Sequence, residues 1–150
     1  MDKQQLIDQL NLLITRNFDA NKGYTEAAMR VSDLQLRKWL QENAKHRKQY
    51  ISDLSREVRL LDGTPDQGTS LRGDLHRTWL DFKAEIYDSD AAVLQECITG
   101  EKTLVNNYAQ VLEEKDLPNT LETLLNNQLQ QIKQSLTALE SIEESVSAYS

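Results

Sequence analysis

Apolar and polar residues alternate along most of this chain with the period of amphipathic α-helices. Between residues 2 and 31, and again from just after Ser32-Asp33 to about Leu61, inward positions recur every three or four residues. This spacing places one stripe of side chains on one face of a helix. The first stripe is Leu6, Leu10, Leu13, Asn17, Ala20, Tyr24, Ala27 and Val31, and the second is Leu36, Leu40, Asn43, Arg47, Tyr50, Leu54, Val58 and Leu61. The two-residue break predicts an antiparallel hairpin of long helices, and Asp2 with Gln5 predicts a capping box at its start.

A second pair of stripes follows in the last 60 or so residues of the chain. One is predicted to run from about Asp90 to about Glu114, and the other begins after Pro118. Their inward residues are Val93, Cys97, Leu104, Tyr108 and Val111, then Leu121, Leu125, Gln128, Ile132, Leu136, Leu139, Ile142 and Val146. Pro118 suits the first turn of a helix, and Asn119 with Glu122 predicts a capping box there. We therefore expect a second hairpin.

The segment between the hairpins has roughly 27 residues and contains the strongest loop signal of the chain, residues 62–68. After it, Thr69 or Ser70 can start a shorter helix that reaches about Tyr87. A connection this long can carry the chain along the bundle, which gives the up-down-down-up connectivity of ferritin-like folds. The sequence therefore predicts an all-α, ferritin-like antiparallel four-helix bundle, one domain over residues 1–150, with a short crossover helix between the second and third long helices. An irregular five-helix array is the alternative.

Composition and charge narrow the range of functions. Hydrophobic residues make up 39% of the 150 residues and charged residues 27%, which is typical of globular proteins rather than disordered chains. The net charge of −7 repels phosphate backbones and anionic lipids, so we expect neither nucleic acid nor membrane as a partner. No apolar run has the length of a membrane span, and the first residues lack the features of a signal peptide. Together with a single cysteine, Cys97, these features favour a cytoplasmic protein.

Three sequence segments resemble landmarks of a bacterial protein family. They are Gly23-Tyr24-Thr25-Glu26-Ala27-Ala28, then Leu75-His76-Arg77-Thr78-Trp79-Leu80-Asp81-Phe82-Lys83, then Glu96-Cys97 with Gly100-Glu101. In this order they are similar to the DUF2383 family of the ferritin-like superfamily, and the resemblance covers nearly the whole chain. It implies a ferritin-like bundle. It implies no particular activity, because the family as a whole has none assigned to it.

A metal centre needs more ligands than the chain offers. Ferritin-like di-iron proteins place one carboxylate on each of two helices and a Glu-x-x-His pair on each of the other two. Near mid-height this chain offers Glu101, then His46 preceded by Asn43 or Glu42, and Glu26 more than one turn from the expected position near Asn21. The fourth helix offers Gln128, Gln130, Gln131 and Lys133 without a histidine. We therefore favour no metal or cofactor, and iron or another divalent metal held by Glu101, His46, Glu42 and Glu26 is the alternative.

The favoured interpretation of the inward polar residues is a network in the middle of the bundle. Its members are Asn17, Asn21, Asn43, Arg47, Glu101 and Gln128. Such a network can fix the register of the helices if its members satisfy one another. Within it we predict an ion pair between Arg47 and Glu101, which fills the volume that metal and carboxylates occupy in di-iron bundles. His76 and Trp79, one turn apart on the predicted crossover helix, are interpreted as a packing anchor with a hydrogen-bonded histidine rather than as a ligand site.

Three functional hypotheses remain open. The favoured one is a non-catalytic helical protein without catalytic residues, acting in stress physiology, as a homodimer or through an unknown protein partner. Apolar residues outside the main stripes are expected to be exposed and to supply its interface: Trp39, Phe18, Leu12 and Leu60. The second hypothesis is an iron-binding oxidoreductase or storage-type protein. The third is a bundle that binds a small ligand in a pocket under the crossover helix at Trp79. Motifs for hydrolases, kinases and nucleotide binding do not occur in the sequence.

Overall fold

The computed structural model describes residues 1–68 and 89–148. Within these ranges the chain forms four α-helices and no β-strand: α1 (Lys3–Arg30), α2 (Leu34–Leu60), α3 (Asp90–Leu112) and α4 (Asn119–Ala148). The predicted all-α fold of two long-helix hairpins is confirmed. The predicted crossover helix, from Thr69 or Ser70 to about Tyr87, lies outside the described residues.

Short polar side chains cap the helix starts. The Gln5 amide donates to the Asp2 carboxylate at 2.8 Å while the Asp2 amide donates to the Gln5 side chain at 2.9 Å, so the predicted capping box is confirmed. At α2 the Asp33 carboxylate accepts from the Leu36 amide at 2.8 Å, without a reciprocal bond. At α4 the prediction was wrong by one residue. Asn119 is already helical, and Pro118 is the last residue before the helix. The Pro118 carbonyl accepts from the Glu122 amide. A proline suits this position because it has no backbone N–H that would need a partner.

Hydrogen bonds between residues of different elements fix the directions of the helices. Asn21 on α1 meets Ala44 on α2, and Lys3 near the start of α1 meets Asp62 just past the end of α2. These two pairs make α1 and α2 antiparallel. Contacts between Asn17 and Tyr108, and between Ser32 and Asp90, make α1 antiparallel to α3 as well. Because α1 is antiparallel to both α2 and α3, these two run parallel to each other. Contacts of Tyr50 with Gln131 and of Asn43 with Ser135 make α4 antiparallel to α2. The bundle therefore has the up-down-down-up order of a ferritin-like fold.

The core is one continuous cluster of apolar side chains drawn from all four helices. Leu60 is exposed, with 70% of its surface accessible, as predicted. The expectation that Trp39, Phe18 and Leu12 are also exposed is wrong, since all three are partly buried. Trp39 packs edge-on against Tyr24, with ring centroids 6.3 Å apart. Gly68 comes so close to Phe18 that a Cβ on the glycine would lie 2.7 Å from the ring.

The two ends of the connection between the hairpins lie at opposite ends of the bundle. Its first residues pack on α1, where the Asn11 side chain donates to the Thr64 carbonyl at 3.1 Å and accepts from the Asp66 amide at 2.8 Å. Its far end is beside the α1–α2 turn, where Ser32 contacts Asp90. Among the helices that the structure describes, none is long and apolar enough to cross a membrane.

Candidate functional site

The centre of the bundle contains an arginine and a glutamate that pair with each other. Arg47 on α2 and Glu101 on α3 both have 0% of their side-chain surface exposed. The guanidinium Nη1 donates to Glu101 Oε1 at 2.8 Å, and Nη2 donates to Oε2 at 2.6 Å. Neighbouring helices in this bundle are α1 with α2 and α3, and α4 with α2 and α3. The pair therefore joins the two diagonally opposed helices, and its two hydrogen bonds have the bidentate geometry that only arginine offers a carboxylate.

Two tyrosine rings enclose the guanidinium. The carbon at its centre lies 5.4 Å from the centroid of Tyr24 and 5.5 Å from that of Tyr50. At these distances the electron-rich faces of the rings attract the positive charge. Arg47 Nε donates to no acceptor within the described part of the chain. The cation is thus held by one carboxylate and two aromatic rings, in a place that water does not reach.

Charge and burial determine the protonation of the groups around the pair. Burial alone lowers the pKa of Arg47, but the adjacent Glu101 carboxylate outweighs it and the pKa ends above its ordinary value. Burial raises the pKa of Tyr24, and the negative charge of Glu101 raises it further. The same two causes raise the pKa of the Cys97 thiol. At neutral pH the site therefore contains one arginine cation surrounded by neutral phenol and thiol groups.

A chain of hydrogen bonds adjoins the ion pair and links α1, α3, α4 and α2. The Asn17 amide donates to the Tyr108 hydroxyl at 3.0 Å and to the Leu13 carbonyl at 2.9 Å. Tyr108 donates to Gln128 Oε1 at 2.6 Å, and Gln128 Nε2 reaches the Tyr50 carbonyl at 3.5 Å. Burial raises the pKa of Tyr108, so its hydroxyl remains a donor. Asn17 Oδ1 accepts from no group in the ranges that the structure describes.

Two predicted members of the network lie at its edges instead. Asn21 is half-buried and donates to the Ala44 carbonyl at 2.7 Å, so it joins α1 to the backbone of α2 and does not meet Glu101. Asn43 faces the boundary between α2 and α4, where it donates to the Trp39 carbonyl and accepts from Ser135 at 2.8 Å. Counting residues along the hairpins predicts Asn21 as the α1 counterpart of Glu101, whereas in the structure Tyr24 takes that place and its hydroxyl interacts with Glu101.

The predicted metal ligands do not converge. His46 is exposed, and so is Glu42, which lies near Lys45 at 3.8 Å, while Glu101 is fully buried. Glu26 is buried on α1. Across residues 1–68 and 89–148 no three His, Cys, Asp or Glu side chains form a group that could hold a metal ion. His76 and Trp79 lie outside the described residues.

Sequence reasoning treated the three tyrosines of the site as core packing only. Tyr24, Tyr50 and Tyr108 are nearly or fully buried, and each contributes a ring contact or a hydrogen bond to the polar centre. A usable signal was present, because a tyrosine on an inward stripe must find a partner for its hydroxyl. Tyr50 follows Arg47 by three residues on the same helix face, which is the spacing at which side chains meet.

The fold is similar to solved structures of ferritin-like proteins. A dodecameric thioferritin, the bacterioferritin-related protein of Bacteroides fragilis, has a TM-score of 0.85 at 16% identity, covering 99% of this chain and 90% of that one. Mycobacterium smegmatis Dps has a TM-score of 0.82 at 15% identity, covering 93% and 85%. Rhodobacter capsulatus bacterioferritin has 0.75 at 14% identity, covering 99% and 87%. At such identities the similarity shows a shared fold alone.

The family assignment comes from the sequence itself. No curated protein sequence matches the chain. Residues 5–114 match the model of a domain of unknown function, DUF2383, and this range includes both Arg47 and Glu101. The match confirms the resemblance seen in the three sequence segments. The ferritin-like bundle with an arginine–glutamate pair at its centre therefore belongs to the DUF2383 family.

Proposed function

We propose that this protein is a non-catalytic ferritin-like bundle whose centre is held by a permanent ion pair, and that it acts in the cytoplasm through self-association or a protein partner. The observation that carries the proposal is the pair of short hydrogen bonds, 2.8 and 2.6 Å, between fully buried Arg47 and Glu101. A guanidinium is charged at every pH that a protein tolerates and has no lone pair for a metal. The carboxylate beside it already has its cation.

The donor set in the middle of the bundle does not fit a di-iron centre. Such a centre draws on two single carboxylates and two Glu-x-x-His pairs. At the same three-residue spacing this chain has Arg47 with Tyr50 on α2, and buried Gln128 with exposed Gln131 on α4. Glu101 supplies a carboxylate, but it is paired with Arg47, and the tyrosines are kept neutral by their raised pKa values. An amide, a phenol and a guanidinium are poor substitutes for carboxylate and imidazole ligands.

Iron binding is the second candidate, and the fold favours it. Solved structures with this fold include bacterioferritins, one of them with a diiron site and another with heme iron. For this chain to bind iron in the same region, the metal would have to displace Arg47 from Glu101. That leaves a guanidinium buried without its counterion, which costs several kcal/mol.

Metal content distinguishes the two candidates. The protein, purified from cells supplied with iron, is analysed by mass spectrometry for metals and assayed for oxidation of Fe(II). We expect substoichiometric metal and no turnover above the buffer rate. The bacterioferritin of Desulfovibrio desulfuricans, whose solved structure has a diiron site, is prepared in parallel and controls for iron supply. Two irons per chain together with turnover would overturn the proposal in favour of the iron-binding candidate.

Self-association is the second part of the proposal. It is supported by the fold, since the similar thioferritin of Bacteroides fragilis is dodecameric. It is also supported by large apolar side chains left at the surface: Met29, Leu34 and Leu60 are each at least 65% exposed. Sedimentation velocity over a range of concentrations tests it, and we expect a species larger than one chain. A compact monomer at the highest concentration would leave a partner protein as the mode of action.

A further inference from the structure

A groove runs between α2 and α4, which touch at fewer points than any other pair of neighbouring helices. Its volume is about 540 Å³, within the range of small-molecule sites in proteins. One wall is a stripe of α2 with spacings of four, three and four residues: Trp39, Asn43, His46 and Tyr50. The facing wall is the stripe of α4 that includes Gln131 and Ser135. Because α2 and α4 are not packed closely against each other here, these residues line an open groove instead of a helix–helix contact.

Hydrogen bonds between the two walls hold the groove in shape. The Tyr50 hydroxyl donates to Gln131 at 2.5 Å, and the Ser135 hydroxyl donates to Asn43 at 2.8 Å, so the two helices are tied at two levels. Tyr50 is fixed from behind by Arg47, and Trp39 is fixed by its edge-on contact with Tyr24. Because these groups are already ordered, a ligand would not bear the entropic cost of ordering them.

The chemistry of the walls selects the kind of ligand. Among the residues that the structure describes, the lining carries the rings of Trp39 and Tyr50, an imidazole, side-chain amides and a serine hydroxyl, but no carboxylate, lysine or arginine side chain. A phosphate or a carboxylate would find no fixed positive charge there, and a cation would find no negative one. Aromatic side chains stack on flat rings, and glutamine and asparagine amides pair with the donor and acceptor edge of a heterocyclic base.

We propose that this groove binds an uncharged, flat heterocycle of about the size of a nucleoside or a flavin ring system. The ring stacks on Trp39 at one end of the groove, and its hydrogen-bonding edge meets the amides of α4 and the exposed imidazole of His46. The site is separate from the Arg47–Glu101 centre and needs no metal, so it goes beyond the proposed non-catalytic role. The protein would thus bind a small molecule at the boundary between its two hairpins.

Two uncharged probes and one charged analogue test the ligand class. Adenosine and lumichrome are titrated into the full-length protein, followed by calorimetry and by amide chemical shifts, and AMP is titrated for comparison. We expect saturable binding of at least one uncharged probe, with shifts concentrated at Trp39, His46 and Gln131. We expect AMP to bind about tenfold more weakly than adenosine, because its phosphate loses solvation without gaining a cation. No saturable binding of either uncharged probe, or AMP bound as tightly as adenosine, would overturn the proposal.

Two exposed or half-exposed positions allow the groove to be altered without touching the core. Ala138→Leu places a larger side chain in the groove, and Gln134→Ala removes an amide from its wall. We expect Ala138→Leu to weaken probe binding about tenfold or more and Gln134→Ala about threefold. Gln130→Ala, at an exposed position of α4 that does not line the groove, is the matched control. Binding that neither groove variant changes would place the ligand elsewhere and refute the site.

Discussion

Burying the Arg47 guanidinium is unfavourable because it loses its contacts with water, and strong contacts inside the bundle offset that loss. Taking a guanidinium and a carboxylate out of water costs several kcal/mol for each ion, even after the protein has relaxed. In this bundle the offsetting stabilisation comes from two short bidentate hydrogen bonds and from the faces of two tyrosine rings. The pair is therefore tolerable as a unit, while either member alone would be a buried, uncompensated charge.

Removing the charge of Glu101 tests this balance. Glu101→Gln keeps the size of the side chain but leaves Arg47 facing a neutral amide, with one of its two acceptor oxygens replaced by an NH₂ group. We expect the free energy of unfolding to fall by about 3–5 kcal/mol, a large share of the stability of a domain of this size. Urea unfolding followed by circular dichroism measures the difference.

Two further variants separate the pair from general effects of losing a carboxylate. Glu114→Gln, at an exposed position just after α3, is expected to change stability by no more than about 0.5 kcal/mol. The double variant Arg47→Met/Glu101→Leu removes both charges and is expected to recover most of the loss, because an apolar replacement of a buried pair is often neutral. Equal stabilities of Glu101→Gln and the native protein would show that the pair contributes nothing.

The buried phenols and the thiol make stability sensitive to alkaline pH. Burial raises the pKa values of Tyr24, Tyr50, Tyr108 and Cys97 in the folded protein. An unfolded chain releases these protons near pH 8.5 to 10, whereas the folded chain keeps them, so the folded state binds more protons in this range. The stabilisation is complete below these unfolded values and is lost as the pH rises through them toward the folded pKa values.

We expect the urea midpoint to be steady from pH 6 to about pH 8 and to fall steeply above about pH 9. Tyrosinate absorbance of the native protein should lag behind that of the protein in urea over the same range. Tyr108→Phe, which removes one of the raised groups, should make the alkaline decline shallower while lowering stability at neutral pH through its lost bonds to Asn17 and Gln128. A midpoint independent of pH up to 11 would contradict the burial of these hydroxyls.

At the level of helices and turns, the sequence predicts most of what the structure contains. The four helices begin and end close to where the stripes and the capping residues place them, because those signals are local. The up-down-down-up order also follows from connection lengths alone. The one misplaced helix start, at Pro118, concerns which residue is the last before the helix, and sequence signals resolve that poorly.

Pairing across the bundle is less predictable than the helices themselves. The stripes put Arg47 and Glu101 inward at similar heights, which was enough to predict that they pair. The first stripe contains Tyr24 and not Asn21, yet counting residues through the hairpins pointed to Asn21 as the α1 residue facing Glu101. Such counting fixes the height along a helix only to about one turn and does not fix the rotation of the helix about its axis. The rotation depends on packing with neighbours, and the ring contacts of Tyr24 with Arg47 and Trp39 appear only in three dimensions.

The turn after α2 offers a test of packing between elements. Gly63 lies against the core side of that turn, and a Cβ there would be 2.9 Å from Ile7 Cγ2 and 3.0 Å from Val58 Cγ1. Both neighbours are buried and cannot move aside freely. We expect Gly63→Ala to reduce stability by about 1–3 kcal/mol, as overpacking does. Thermal unfolding measures it, with Thr64→Ala at the exposed neighbouring position as control, and an unchanged melting temperature would contradict the close approach.

At the scale of the whole molecule, the ion pair gives the bundle a centre that does not depend on an external ion. A ligand that binds only the folded state raises the melting temperature by mass action. If Glu101 already has its counterion in Arg47, neither chelators nor added divalent metal should change the stability of the native protein. A variant that lacks the arginine should therefore respond to added metal differently from the native protein.

Arg47→Glu turns the pair into two facing carboxylates. We expect this variant to be strongly destabilised without metal, since like charges at contact distance in a buried site cannot both ionise. Manganese(II), which prefers oxygen ligands, should then bind between them and raise the melting temperature by about 5–10 °C at a hundredfold excess over its dissociation constant. The native protein should show no shift, and Arg47→Met, with one carboxylate and no counterion, a smaller one. If the variant is unfolded without metal, refolding on addition of manganese is the corresponding readout. Equal metal-dependent shifts in the native protein and in Arg47→Glu would mean that the guanidinium does not keep metal out, and that the centre of this bundle is open to a cation after all.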